Sequence, residues 1–502
     1  MRRLLATAAA ATALLAFPAG CGDDADSPLD EALGYLPKDA VFVLAVSTDF
    51  EGDDYDQLRG LLDRFPQGGQ AGSLLRNQFE QSGNVDYEDD VKPVLGNDLV
   101  LGVPTAEDFQ GDDEGFVMAL EARDGDKAEE FVKRDADEVG EKNGANIYES
   151  ESGGTFTALK DDTIVLSSKR EMVEQALETR DGDDRLREDD LDDAFGDLPD
   201  DALLRLYGDA QRLIEDSPGT EEARGSKWVS SLRKFAITAD AVDDGVEVQF
   251  RLETEGLSEE DLPIATGEES PGVVARENEV SFALRDVTQS IKFGEVTGQA
   301  IDATQFGQYQ AAKSLIGSRL GINVDEDVYG QFEGDTSVSV SLDGKFASRS
   351  ELRDAAAFET TLAKIADEPD LLARLLDEED IEIEKPRRGE KLYGLVSGDG
   401  DRLVFGVVDG AFVLANDPGK AQQVAGGEPA QVEGAEGAFA LKADGEAIAN
   451  EIARDLFESQ LGGLGELFGG LGAFTGPIGD LTGSMRNETD ALTGKLKLIV
   501  EE

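Results

Sequence analysis

The chain has 502 residues, and 108 acidic against 46 basic side chains give it a formal net charge of −62, with no histidine. That charge repels phosphate backbones and excludes nucleic acid as a partner. The missing imidazole removes Ser-His-Asp and Cys-His nucleophile systems and the usual zinc and non-haem iron ligands.

Hydrophobic residues still make up 40% of the chain and fall in patterned runs, which favours a folded protein with an acidic skin over a disordered polyelectrolyte. Arg2 and Arg3 open the chain, Leu4 to Phe17 is an apolar run, and Pro18, Ala19 and Gly20 lead to Cys21, the sole cysteine. A basic head, a short apolar run and small residues are the layout of a secretory signal peptide over 1–20, and the run is too short to span a bilayer. A cysteine directly after the small residues resembles a bacterial lipobox, in which the sulfur receives a diacylglycerol and the cysteine becomes the first mature residue. Pro18 stands where a lipobox carries leucine. The expectation is a chain held on the outer face of the plasma membrane by lipid on Cys21, with 21–28 as the lipidated tether. Two or more acyl chains suffice for stable attachment. With that thiol occupied, no disulfide is available and the fold must be held by its core.

A first α+β module is expected over 29–255. It opens on the strand run VFVLAV (41–46) and continues through the helical YDQLRGLLDRF (55–65) to NVDYEDDVKPVLGNDLVLGV (84–103). FVMALEARDGDKAEEFV (116–132) reads as a strand and then the start of an amphipathic helix, Lys127 to Val139, that turns Phe131 and Val132 toward a sheet. Three short strands joined by Gly/Asp turns run into a helix over 147–177, and FAITADAVDDGVEVQFRLE (235–253) closes the module as a hairpin. The acidic, Gly- and Pro-containing stretch around 256–274 reads as a linker. A second module over 275–502 takes up the same order: VSFALR (280–285), NVDEDVYGQFEGDTSVSV (323–340), a strand and helix over 346–365, strands and a helix over 392–424, and a closing hairpin over 482–502. The expected fold class is α+β, a tandem duplication of a module with mainly antiparallel sheet covered by helices. Turns this short cannot make parallel crossovers.

LPKDAVFVLAVST (36–48), the 84–103 segment and GGTFTALKDDTIVLSS (153–168) together resemble the bacterial secreted and lipoprotein family known as domain of unknown function 3352. Its members similarly show an LP-x-D opening before an apolar strand, a D-x-x-x-D-V-x-P-x-[apolar]-G segment, and a late strand pair before a helix. The likeness covers most of the mature chain. The second copy lacks the proline and has Gln331 near that place. The resemblance implies a fold and an extracytoplasmic address, and no activity.

Motifs for chemistry are sparse. There is no G-x-x-x-x-G-K-[ST] loop, and LGGLGELFGGLGAFTG (461–476) does not fit a dinucleotide loop. The S-x-x-K pair Ser231 and Lys234 has no S-D-N or K-T-G partner. Nothing singles out two of 108 carboxylates as a glycosidase pair. The densest acidic run, 181–201, offers Asp181, Asp183, Asp184, Asp189 and Asp190 as candidate calcium ligands, although it does not match the EF-hand loop and also reads as a short helix with a solvated face. Leu464, Leu467, Phe468, Leu471 and Phe474 make the 461–476 run apolar. It is expected either to touch lipid or a partner or to cover the core between the halves. The expectation is a non-enzymatic protein without cofactor, anchored to the membrane, which binds or scaffolds in the envelope. The alternatives are a carrier or sensor of an apolar ligand held between the modules, and a carboxylate-based hydrolase.

Overall fold

The computed structural model describes residues 27–66, 68, 86–110, 115–151, 153–217, 220–375, 381–386, 391–452 and 475–501. Cys21 and the apolar 461–474 stretch, with Leu464, Leu467, Phe468, Leu471 and Phe474, therefore lie outside the described residues. The fold is α+β, and every strand pair with a defined register is antiparallel. The chain divides into two compact units. One is Met1–Thr220 with Leu232–Glu253 and Val500–Glu502, and the other is Glu221–Ser231 with Thr254–Ile499.

In the first unit the strands are β1 (Phe42–Ser47), β2 (Asp98–Val103), β3 (Val117–Glu121), β4 (Ala136–Lys142), β5 (Ala145–Ser150), β6 (Phe156–Lys160), β7 (Thr163–Ser167), β8 (Leu204–Asp209), β9 (Leu232–Val242) and β10 (Gly245–Thr254). Their order across the sheet is 4-5-6-7-3-2-1-8-9-10. Hairpin turns follow from the sequence. Asn143-Gly144 joins β4 to β5 with φ of 51° and 81°, and only residues that tolerate the left-handed region fit such a turn. Helix α1 (Pro28–Leu33) begins at Ser27, whose hydroxyl accepts from the Asp30 amide at 3.1 Å, with Pro28 pre-set in the first turn. It buries Leu29, Ala32 and Leu33, and the chain continues into fully buried Tyr35 and Leu36. Leu36 lies over Gly102 of β2 so closely that a Cβ there would sit 2.2 Å from its Cδ1. Helix α2 (Asp53–Leu62) covers β9, α3 (Gly125–Lys133) buries Ala128 and Val132, and α4 (Arg170–Asp181) buries Met172, Val173, Ala176 and Leu177. Val132 faces inward as the sequence suggests, while Phe131 is exposed, and the helix expected to run on to Val139 stops at Lys133, with β4 starting at Ala136.

In the second unit the strands are β11 (Glu279–Arg285), β12 (Asp335–Ser341), β13 (Phe346–Glu351), β14 (Ile381–Glu384), β15 (Leu392–Ser397), β16 (Arg402–Val408), β17 (Ala411–Ala415), β18 (Phe439–Asp444), β19 (Ile478–Asn487) and β20 (Ala491–Val500). Their order is 14-15-16-17-13-12-11-18-19-20. Between β11 and β12 stand two long helices, α5 (Val287–Ile301) and α6 (Ala303–Leu320). Helix α7 (Ala355–Ala366) sets Phe358 edge-on to Phe332 and Phe412, with ring centroids 5.4 and 5.3 Å away. Helix α8 (Pro418–Ala425) is capped by Asp417, which accepts from the Lys420 amide at 2.9 Å. The stretch that reads as a linker is packed into this unit. Leu262 is fully buried, Ile264, Val273 and Val274 are buried too, and Val273 pairs with Ala430. Glu259, Glu260, Glu268 and Glu269 are the exposed part of a covering segment whose apolar residues point inward.

Under α8 lies a buried ion pair. The Lys420 Nζ is 2.7 Å from Glu279 Oε1 and donates to the Ser339 hydroxyl at 3.1 Å, while that hydroxyl donates to Glu279 Oε2. Lys420 is 5% and Glu279 9% exposed, so each charge depends on the other. Replacing Lys420 alone by Met leaves the carboxylate uncompensated and is expected to cost about 3–5 kcal/mol. The joint change Glu279→Val, Lys420→Met is expected to recover most of that loss. Urea denaturation of the three proteins checks it.

Candidate functional site

Helices α5 and α6 differ from the other long helices in one respect: neither contains a buried residue. They are joined through Asp302, whose carboxylate accepts from the Thr304 and Gln305 amides at 2.9 Å each, and α6 ends on Gly321 at φ 63°. Exposed apolar side chains lie along them, with Val296 at 57%, Leu315 at 45% and Ile301 at 38%. Their sequence explains the looseness. Gly294, Gly298, Gly307 and Gly317 interrupt the two helices, and each glycine costs about 1 kcal/mol of helix propensity relative to alanine.

The pair is held at its base by polar contacts. Thr288 donates to the Phe332 carbonyl at 2.9 Å, Gln289 donates to the Leu262 carbonyl at 2.8 Å, and Ser290 donates to the Pro263 carbonyl at 2.8 Å. Trp228, the sole tryptophan, stands edge-on to Phe293 with centroids 6.0 Å apart. Farther along, Glu295 Oε1 accepts from the Tyr309 hydroxyl at 2.6 Å and from Lys313 Nζ at 2.7 Å. Lys313 also bridges to Asp325 and sits over the Tyr309 and Tyr329 rings, 5.8 and 5.3 Å from their centroids. Burial, helped by the bonds to Glu295 and Tyr329, raises the Tyr309 hydroxyl well above the usual phenol range. This cluster ties α5 to α6 at one level and leaves an apolar groove beside it of about 640 Å³. Ile291, Phe293, Ile301 and Phe306 line it, and Gly294 and Gly298 open its floor. That volume is in the range of small-molecule sites.

Two other cavities are weaker candidates. One in the first unit, beside Leu33, Phe195 and Tyr207, measures about 50 Å³ and is too small for a ligand. One between α8 and β14–β16 measures about 820 Å³ and carries Lys385, Lys391 and Arg402. Each of these cations is already paired: Lys385 with Asp367 at 2.5 Å, Lys391 with Asp409 at 3.4 Å, and Arg402 with Glu384.

The candidate calcium ligands are spread out. Asp181 ends α4 and pairs with Lys160, the Asp184 carbonyl accepts from the Lys38 amide at 3.0 Å, and Asp190 lies 2.6 Å from Lys38 Nζ. Asp183 is exposed in the turn after α4, and Asp189 lies with Asp190 in a short helix, Glu188–Asp190. Among the described residues no three acidic side chains converge to hold a metal ion. Ser231 is buried and donates its hydroxyl to the Trp228 carbonyl at 2.7 Å, while Lys234 Nζ lies 6.0 Å from the centre of the Tyr207 ring. The carboxyl of Asp240, on β9, is displaced from its ordinary range. Burial, with Asp54 and Asp201 adding repulsion, pushes it up to about 6. It lines none of the three cavities described above. The groove escaped the sequence reading, yet one signal was present: between Val287 and Leu320 only Glu295 and Asp302 are acidic.

A family model described as protein of unknown function (DUF3352) matches residues 3–368. No curated protein matches the chain. Similar solved structures include crystal form I of TP0453 at 11% identity and TM-score 0.25, covering 47% of this chain and 82% of that one. Crystal form III of TP0453 is 8% identical at TM-score 0.24, covering 45% of this chain and 81% of that one. At those TM-scores the likeness carries no further statement about this chain. Among the described residues no helix is long and apolar enough to cross a membrane.

Asp240 makes a pH prediction. Its ordinary value is 3.8 and its folded value about 6, so the folded state holds the proton longer. Its contribution to stability is then greatest below pH 3.8 and is lost as pH rises through 6. Asp240→Asn is expected to stabilise by about 1 kcal/mol at pH 8, discounted for partial exposure, and to change little at pH 3.5. Denaturant midpoints at the two pH values measure it.

Proposed function

The chain belongs to the DUF3352 family of proteins of unknown function, and because no activity carries over from that membership, we propose from its own residues that it is a lipid-anchored cell-envelope protein that acts by binding and not by catalysis. The anchor is lipid on Cys21 after removal of residues 1–20, and the address is the outer face of the plasma membrane. The observation that carries the binding reading is the apolar groove between two helices that bury no residue of their own. Exposed apolar surface on so acidic a chain is costly to keep without a ligand or partner. The absence of histidine and the placing of Asp240 outside the cavities support binding over hydrolysis. The groove also favours the apolar-ligand reading of that binding, with the site inside the second unit.

We further read the two units as copies of one module. Their strand orders run in the same sequence. Met172 and Lys420 occupy the same position, three residues past the helix cap, and both are buried. One copy fills that place with a thioether and the other with an ion pair.

The anchor is tested by Cys21→Ser. Fractionation of cells is expected to move the protein from the membrane pellet to the soluble envelope fraction, and undiminished pelleting would overturn the anchor. Mass spectrometry of an organic extract of the purified protein tests the groove. An apolar species stoichiometric with the protein supports it, and its absence from protein purified without detergent counts against it.

A further inference from the structure

We infer that the groove between α5 and α6 takes the hydrocarbon part of an uncharged amphiphile, such as an acylglycerol or long-chain alcohol, and rejects fatty-acid anions; this rests on the binding reading above and names its ligand class.

Such a molecule has an apolar tail and a polar head, and the groove meets each differently. The walls supplied by Ile291, Phe293, Ile301 and Phe306 suit a chain and offer it no hydrogen bonds. The polar groups on the lining are Glu295, Asp302, Thr297, Gln305 and Tyr309. Two of these are carboxylates and none is a cation. Lys313 is held by Glu295 and Asp325 and does not line the groove, and neither does Lys292, which stands between the lining residues Ile291 and Phe293 in α5. A carboxylate or phosphate head would meet two like charges inside a chain of net charge −62. Juxtaposed like charges penalise binding strongly. A hydroxyl or ester head meets acceptors and donors it can satisfy. Charge therefore selects the head, and shape selects the tail.

The glycines provide a test that leaves the helices intact. A Cβ at Gly298 would touch only Phe306 Cδ2, at 3.9 Å, so a longer side chain there projects into the groove. A Cβ at Gly307 would meet nothing within 4 Å, and Gly307 does not line the groove. Gly298→Leu is thus the blocking variant and Gly307→Leu its matched control, both raising helix propensity. Trp228 beside Phe293 is the reporter, and it is the only tryptophan.

The experiment titrates the full chain carrying Cys21→Ser with monolaurin and with laurate, which share one alkyl chain, below the concentrations at which either aggregates. Trp228 emission is expected to shift saturably with monolaurin, while laurate binds at least about tenfold more weakly at low salt. That gap should narrow in high salt as repulsion is screened. Gly298→Leu should lose the monolaurin response and Gly307→Leu should keep it. Laurate binding as tightly as monolaurin, with Gly298→Leu blocking both, would overturn the ligand class and leave the binding reading standing. No saturable response to either amphiphile, or responses untouched by Gly298→Leu, would overturn both.

Discussion

Like-charge repulsion is the constraint that the rest of this molecule is arranged around. With 108 acidic residues against 46 basic ones, most carboxylates have no cation to themselves. Three of the most buried cations stand where distant parts of the chain meet. Arg180 joins α4 to Glu31 of α1, Arg205 joins β8 to Asp98 of β2 at 2.9 Å and to Glu188 at 3.1 Å, and Lys420 joins α8 to β11 at 2.7 Å. Surface pairs of this kind contribute little individually. At these partly buried positions they prevent an uncompensated charge from being enclosed, which is the larger effect. The apolar alternation of the strands then carries the cohesion.

Against that background the α5–α6 pair is an exception with a consistent logic. Its residues are mostly Gly, Gln, Ser, Thr, Ala and scattered apolar side chains, with few charges of either sign. It is held at its base by hydroxyl and amide groups and at mid-height by one Tyr–Glu–Lys cluster. The remainder is open. A segment built this way offers apolar contact with just two carboxylates, Glu295 and Asp302, along it.

Much of the strand framework was legible because its signal is local. VFVLAV is a continuous apolar run and supplies most of β1, and the Asp- and Gly-containing turns at 161–162 and 409–410 take the left-handed conformations such residues tolerate. The helices with a clear apolar stripe, α3, α4 and α7, were legible for the same reason. Long-range facts were not. Nothing in the sequence marks Glu279 and Lys420 as a pair, because they lie far apart along the chain. Leu262, Ile264 and Val273 were hidden among the acids of a stretch that looked like a linker. The groove was missed because nothing local in the sequence shows that the apolar residues of α5 and α6 stay uncovered in the fold. Their meaning lies in what they leave uncovered. Asp240 was illegible among so many aspartates until burial set it apart.

The glycines of α5 and α6 carry a thermodynamic consequence. Helices with no buried anchor and several glycines belong to the low-stability end of a fold, where amide hydrogens exchange through local opening long before the sheet unfolds. A molecule that settles between them stabilises the closed pair in proportion to the logarithm of its concentration over its dissociation constant. The slowest-exchanging amides of the strands would be indifferent to it, and those of this hairpin would report its presence.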